Sequence, residues 1–467
     1  MRFPLFLLVS FLIFLSSLQS AASVRPSKAD KFQEPETADA ATVKINPKKE
    51  IPIDTVPLEK NDVVSSDTAN NAIRFYPLTD SVANSSRKVR ILLHKNLISR
   101  NFFVYGKIKI LSDSVKISIS QGAVRFLQTD ENRAEISAHG RFAQVNLPCT
   151  LSFISGTNIF SDGDVEYRGD IIFSNDKNGF SVINFIDIED YLRGVVPPEI
   201  GIRAETEFEA LKAQAVAART YTLSKVLRSV DKEFDLLPTV ADQVYGGVNC
   251  EYALSDLAVK ETRGVVIVKN DGALLETYYH SICGGITASI DEAWSSAPNG
   301  SLVSRKDFRP NGAPYCGNSK SYSWKEIWTI SQFSQILKKY SVLSNEAHFD
   351  GTVKSVSVVS KSASGRVIDL AVVSEKGTFH YGKDKVRFVL RRPKDESILR
   401  SAIFNIKIEN NHVVATGYGY GHGIGMCQTG AIERARAGQN YTEILNSYYS
   451  RIKFSSWDAV VKSTFAF

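Results

Sequence analysis

Thr206-Glu207-Phe208-Glu209-Ala210-Leu211-Lys212-Ala213-Gln214-Ala215-Val216-Ala217-Ala218-Arg219-Thr220-Tyr221 is the stretch on which the reading of the fold turns. Thr206 and Glu209 stand at the spacing of a capping box, and Leu211, Ala215 and Ala218 recur at helical intervals. The spacing predicts one helix running to about Arg228. Its alanines let neighbouring backbone approach closely. Lys212, Ala215 and Arg219 fall along one stripe, which is either a solvated face or a row of donors turned toward a site.

On both sides of this helix the pattern is that of strands. Upstream, Val89–Leu93, Val104–Ile110, Val115–Ile119, Ala134–Ala138, Ile171–Phe173 and Phe180–Ile188 are short β-branched and aromatic runs broken by Gly, Asp and Asn. Downstream, Val265–Val268, Thr277–His280 and Val353–Val359 return to strand character, and Ala431–Ala437 and Thr442–Tyr449 read as two short helices separated by Gly438. No internal repeat is present. The expected class is α+β, mainly antiparallel strands with inserted helices.

Just before the long helix lies Tyr191-Leu192-Arg193-Gly194-Val195-Val196-Pro197-Pro198-Glu199-Ile200-Gly201. Glu199 is flanked by Val, Pro and Ile on a segment stiffened by two prolines. Burial there would disfavour the carboxylate and keep the group protonated near neutral pH, as a general acid requires. An exposed loop glutamate is the competing reading. Asp190 and Glu205 are close enough in sequence to keep a two-carboxylate arrangement open.

Composition narrows the function classes. The 467 residues allow two or more domains, and 43% hydrophobic with 23% charged residues is ordinary for a globular chain. A net charge of +6 suits an anionic surface without requiring one, and makes no case for nucleic acid. Arg2, the apolar run Leu5–Leu18 and the small residues Ser20-Ala21-Ala22-Ser23 read as an export signal, residues 1–22. The run is short for a membrane span of about 20 apolar residues; an uncleaved signal serving as a tether is the alternative. The chain is therefore expected to be exported, to a periplasm or cell envelope. Residues 23–86 are rich in Pro, Lys, Asp, Ser and Ala and are expected to form a flexible linker. A β-rich part is expected over 87–190 and an α+β part carrying the chemistry over 191–455.

Gly417, Gly419, Gly421, Gly423 and Gly425 alternate around His422. No register gives G-x-G-x-x-G and no Gly-Lys-Ser/Thr follows, so dinucleotide and phosphate loops are rejected. The five cysteines, 149, 250, 283, 316 and 427, are too few and too scattered for a disulfide scaffold. A Cys283–Cys316 disulfide is the expected pairing in an exported chain. The alternative use of those sulfurs, with His280, is as three metal ligands. Thiol catalysis by Cys427 with His422 lacks any feature that would activate the sulfur.

Tyr191–Gly201 followed by Glu209–Tyr221 resembles the stage II sporulation protein D family, the SpoIID/LytB domain. Tyr167-Arg168-Gly169, Asp242-Gln243-Val244-Tyr245-Gly246-Gly247, Tyr279-His280-Ser281-Ile282-Cys283-Gly284-Gly285 and Gly417–Gln428 match in the same order, so the resemblance spans roughly Lys88–Ile452. It implies a SpoIID-like fold and a lytic transglycosylase that cuts between N-acetylmuramic acid and N-acetylglucosamine in glycan strands stripped of their peptides. Glu199 inherits the catalytic role. Lys212, Gln214, Arg219, Gln243, Tyr245, His280, His422 and Gln428 are the implied substrate-binding residues. The implied partners are bare glycan strands and an N-acetylmuramoyl-L-alanine amidase that prepares them. Members that act as amidase enhancers supply the alternative, a non-catalytic wall-binding role. Some members hold zinc through a Cys/His cluster just before the Gln-x-Tyr segment; here Leu237–Asp242 contains neither residue. The expectation is accordingly no metal and no cofactor.

Overall fold

The computed structural model describes residues 88–112 and 116–464; the expected signal over 1–22 and linker over 23–86 lie outside them. Antiparallel strands and inserted helices make up the described chain, which is an α+β fold as the sequence pattern predicts.

The N-terminal part, from Lys88 to Asp187, is a ten-stranded sheet. Its main path runs Lys88–Leu97, Gly179–Asp187, Asp170–Asp176, Cys149–Asp162, Ser99–Leu111, Gly122–Asp130, Arg133–Ala138, Arg141–Asn146, and every neighbouring pair is antiparallel. Ser99–Leu111 shows why: Phe102, Val104, Ile108 and Ile110 alternate inward, at the period of two that a half-buried strand demands. These side chains meet Phe126, Phe160, Phe173 and Phe180 in one core, with Phe126 and Phe173 stacked at 3.8 Å between ring centroids.

A second core surrounds the helix Phe208–Arg228. This helix is buried without interruption from Ala213 to Ser224. A helix buried all round belongs to the centre of a core, and its small alanines let the helix Ala253–Glu261, the strand Val265–Lys269 and the helices Gln428–Arg436 and Tyr441–Tyr448 close in from several sides. The stripe of Lys212, Ala215 and Arg219 is thus neither a solvated face nor an open donor row. The helix also starts differently from the expectation. Glu205–Glu207 is a 3₁₀ turn, Thr206 does not cap, and Glu207 reaches back to accept from the Ala204 N–H at 3.1 Å. Glu209 accepts instead from the Tyr441 N–H at 2.7 Å, tying the helix to the C-terminal helices.

Between the two halves of that core the chain makes a third unit with its own interior. Ser323–Thr329, His412–Tyr418 and Ile403–Glu409 form one small antiparallel sheet, and Val353–Lys361, Val367–Ser374 and Gly377–Tyr381 another. Trp328, Phe333, Leu337, Leu370 and Phe404 fill the space between them and the helix Ile330–Leu343. Thr329 caps that helix, accepting from the Gln332 N–H at 3.1 Å while Gln332 returns the bond, a capping box.

Candidate functional site

Glu199 sits on the short helix Val196–Ile200. Pro197 and Pro198 occupy its first turn, where a missing N–H costs nothing, and Gly201 at φ 83° ends it. The helix is pressed against the loop 237–247. At Gly194 a Cβ would come within 2.7 Å of the Tyr245 ring and 2.9 Å of the Gly247 carbonyl, so only glycine permits this approach. Gly194 accepts from the Gly246 N–H at 3.0 Å. The loop is fastened from its other side by Asp242, which accepts from Tyr221 Oη at 2.9 Å and the Leu237 N–H at 2.9 Å and pairs with Lys225 at 3.0 Å. So held, the loop delivers the Val244 N–H to Glu199 Oε1 at 2.7 Å.

Glu199 is partly buried, and burial pushes its carboxyl up to about 7; the Val244 N–H and the Gln428 side-chain amide pull more weakly in the opposite direction. Among the described residues, no neighbouring carboxylate contributes to the shift. Asp190 is turned to Arg193 at 3.5 Å and Glu205 is exposed, so neither shares the carboxyl's environment. Gln428 is buried at the start of the helix Gln428–Arg436 and also donates to Gln214 Oε1 at 3.4 Å. Gln214 is fully buried, and its Nε2 has no hydrogen-bond partner among the described residues. Glu199, Gln428 and Gln214 therefore form one short polar chain. Removing the Gln428 amide, as in Gln428→Leu, should raise the Glu199 pKa further and move any acid-dependent activity limb to higher pH. A limb that stays in place argues against this contact.

The remaining residues singled out by sequence are placed differently. Arg219 is fully buried and forms a two-pronged pair with Glu189, Nε to Oε1 at 2.9 Å and Nη2 to Oε2 at 2.8 Å. Its guanidinium also donates to the carbonyls of Val259 and Val265. With every prong engaged inside the core, it has nothing left to offer a ligand. Lys212 is paired with Glu209 at 2.9 Å and Glu261 at 2.7 Å. Gln243 is fully buried, accepting from Thr222 Oγ1 at 2.8 Å and Tyr191 Oη at 3.3 Å and donating to Tyr279 Oη at 2.9 Å. Tyr245 is buried with its hydroxyl on Asn184 Oδ1 at 3.1 Å. The polar groups of these four hold the scaffold, in place of the substrate contacts expected of them.

His280 and His422 lie where the glycine-rich stretch crosses the segment 278–285. Met426–Cys427 pairs with Tyr279–His280 in parallel, and a Cβ on Gly425, at φ 71°, would meet the Tyr278 carbonyl at 2.0 Å. The alternating glycines thus serve a close crossing of two chain segments. His422 accepts from the Ile424 N–H at Nδ1 and donates through Nε2 to the Tyr279 carbonyl at 3.0 Å, which fixes one neutral tautomer; burial lowers its pKa to about 4. His280 donates through Nδ1 to the Ile424 carbonyl at 3.1 Å, leaving a buried Nε2 without a partner among the described residues.

All five cysteines are free thiols. Cys283 Sγ and Cys316 Sγ are 3.5 Å apart, too far for the expected disulfide bond of about 2.0 Å. Sequence order also hid two neighbours: Cys427 and Asp307 reach the same point, and His280 does not. A second omission is the ion-pair network in which Arg168 grips Glu251 at 2.6 and 2.8 Å while Arg193 bridges Glu251 and Asp256. It locks the helix Ile188–Arg193, and hence the Glu199 segment, to the helix Ala253–Glu261. A cavity of about 530 Å³, lined by Asp187, Glu189, Arg263, Tyr441, Phe454 and Trp457 among others, lies beside the Arg219 pair and does not include Glu199.

The fold and this site define a class: an α+β domain that holds one carboxyl, raised by burial, between a proline-stiffened helix and a glutamine. The family described as Stage II sporulation protein matches residues 176–268, which contain Glu199 and the central helix, and one described as a domain of unknown function matches residues 311–425. An uncharacterized protein of Brachyspira hyodysenteriae is 31% identical over 311 residues, covering 65% of this chain and 76% of that one. The "Amidase enhancer" of Bacillus subtilis is 31% identical over 298 residues, 57% of this chain and 40% of that protein, so this chain spans well under half of it. "Stage II sporulation protein D" of Bacillus subtilis is 27% identical over 296 residues, 60% of this chain and 78% of that one. The chain belongs to the stage II sporulation protein D family.

Proposed function

We propose that this chain is an exported lytic transglycosylase that cuts peptidoglycan strands between N-acetylmuramic acid and N-acetylglucosamine, with Glu199 as its single acid and base. The observation that carries the reading is the lone carboxyl pushed up to about 7 by burial. At neutral pH such a group retains its proton in a large fraction of molecules, where an ordinary glutamic acid of about 4.3 does not.

In the proposed step Glu199 gives its proton to the bridging oxygen, and the bond from that oxygen to the muramyl anomeric carbon breaks. The muramyl C6 hydroxyl attacks the same carbon, its proton passes to the Glu199 carboxylate, and a 1,6-anhydro ring closes. One carboxyl is enough because the nucleophile comes from the sugar. A hydrolase of the usual kind needs a second carboxylate facing the first, and neither Asp190 nor Glu205 contributes to the environment of Glu199. The Val244 N–H and Gln428 stabilise the carboxylate between the two proton transfers.

Strands stripped of their peptides are the proposed substrate, which makes an amidase the natural supplier. The relative named Amidase enhancer favours a second reading, in which the same surface binds strands and assists such an amidase without cutting. Purified protein incubated with peptide-free strands, followed by mass spectrometry of the chain ends, separates them. Anhydromuramyl ends support the proposal, and unchanged strands support the second reading. Cleavage should also fall about tenfold per pH unit above the Glu199 pKa, since only the protonated form can donate. A rate that is flat from pH 6 to 9 contradicts the assignment.

A further inference from the structure

Cys283, Asp307, Cys316 and Cys427 are separated by up to 144 residues in sequence, yet one ligand atom from each lies within 4.8 Å of all the others. All four residues are buried, and they come from three segments: the loop after Tyr279–His280, the stretch from Asp307 to the 3₁₀ turn Tyr315–Asn318, and the junction of Met426–Cys427 with the helix Gln428–Arg436. We propose that these four side chains are the ligands of a structural zinc ion.

Distances and donor types favour a metal over a disulfide. Two sulfurs on one tetrahedral zinc, each about 2.3 Å from it, stand about 3.8 Å apart, whereas bonded sulfurs stand about 2.0 Å apart. Cys283 Sγ and Cys316 Sγ are 3.5 Å apart, nearer the first spacing. A disulfide would use two sulfurs and would not account for the third sulfur and the buried carboxylate converging on the same point. Four donors of the kinds Cys and Asp complete a closed tetrahedron, the arrangement of structural rather than catalytic zinc.

The surroundings suit anionic sulfur. Backbone N–H groups point at the sulfurs: Gly285 to Cys283 Sγ at 3.3 Å, and Cys283 and Gly430 to Cys427 Sγ at 3.2 and 3.3 Å. Cys427 is also the N-cap of its helix, where negative charge is favoured. Asp307 is oriented by outer partners, as metal-binding carboxylates usually are. Arg434 Nε donates to Oδ1 at 3.0 Å and Tyr448 Oη at 3.1 Å, while Oδ2 faces Cys283 Sγ at 3.4 Å. Arg434 at the same time offsets part of the negative charge of four anionic ligands.

The position gives the ion a task. Cys427 immediately precedes Gln428, whose amide contacts Glu199. Zinc here would pin three otherwise separate segments and fix the start of the helix that carries Gln428. The site stands on its own geometry and holds whether or not Glu199 is catalytic.

The test uses the full chain, purified under reducing conditions without chelator and analysed for metal by plasma emission. One zinc per chain is expected, and stripping it with a chelator should lower the melting temperature. Cobalt(II) added to the stripped protein should give the intense near-ultraviolet sulfur-to-metal charge-transfer band and the visible bands of a tetrahedral site, at one equivalent. Cys316→Ser should lower the cobalt stoichiometry or affinity, and Cys250→Ser, outside the cluster, should leave both unchanged. Because the cobalt titration is made on the unmodified chain, a variant that fails to fold does not decide the matter. A chain that retains no zinc and takes up no cobalt with its thiols reduced overturns the proposal, as does recovery of a Cys283–Cys316 disulfide from the protein in its exported form.

Discussion

Glu199→Gln should reduce release of anhydromuramyl ends by about 10²- to 10⁴-fold, the range by which a positioned acid–base group accelerates such steps. The upper end is expected, because one group carries the proton in both directions. The amide keeps the shape of the neutral carboxyl and can still accept from the Val244 N–H, now 2.7 Å from Oε1. Folding and strand binding should therefore persist, and a melt together with a strand pull-down would check them. The pH limb above about 7 should vanish with the group that titrates there. Turnover within a few-fold of the unmodified chain would move the chemistry to another residue.

The second large effect is on stability. Arg219→Ala should cost about 3–5 kcal/mol, the usual consequence of removing one partner from a buried ion pair. Glu189, which accepts both guanidinium prongs, would keep only the Gly264 N–H among these partners of its carboxylate, and the Val259 and Val265 carbonyls would lose a donor. Denaturant unfolding should show the loss directly. Arg219→Lys should restore little, because an ammonium cannot reproduce the two-pronged fork. A normal unfolding curve combined with weakened strand affinity would return Arg219 to the site.

These two residues mark what the sequence discloses and what it hides. Glu199 is only half legible, because its apolar, proline-stiffened neighbours allow an exposed loop as well as burial, and the Val244 N–H and Gln428 amide that complete its surroundings lie far along the chain. The long helix is legible because its apolar spacing is periodic, and the alternation in Ser99–Leu111 announces a half-buried strand in the same way. Arg219 is misread because spacing along one helix shows a stripe but not what covers it; Glu189, 30 residues earlier and on another helix, covers it. Gln243 and Tyr245 mislead for a related reason. A motif beside a site can be there to build the loop, and here their side chains turn inward while the backbone N–H of Val244 between them makes the contact.

The cysteine cluster is a harder case. Its donors follow no ligand spacing, since three distant segments meet only when the glycine-rich crossing forms. The alternating glycines from 417 to 425 were the available signal that two stretches of backbone pass closely, and Cys283 and Cys427 lie on the two stretches that do. The core around Trp328 and Phe404 is announced only by the strand pattern of Val353–Val359, because the pairings that complete it join segments distant in sequence.

The most direct test of the account is a titration of Glu199 itself. Carbon-detected NMR of the chain labelled at glutamate carboxyls, with Glu199→Gln supplying the assignment, reads the midpoint without any substrate. The expected midpoint is about 7. A midpoint in the ordinary range, about 4.3, would mean that the carboxyl is ionised at neutral pH and has no proton to give.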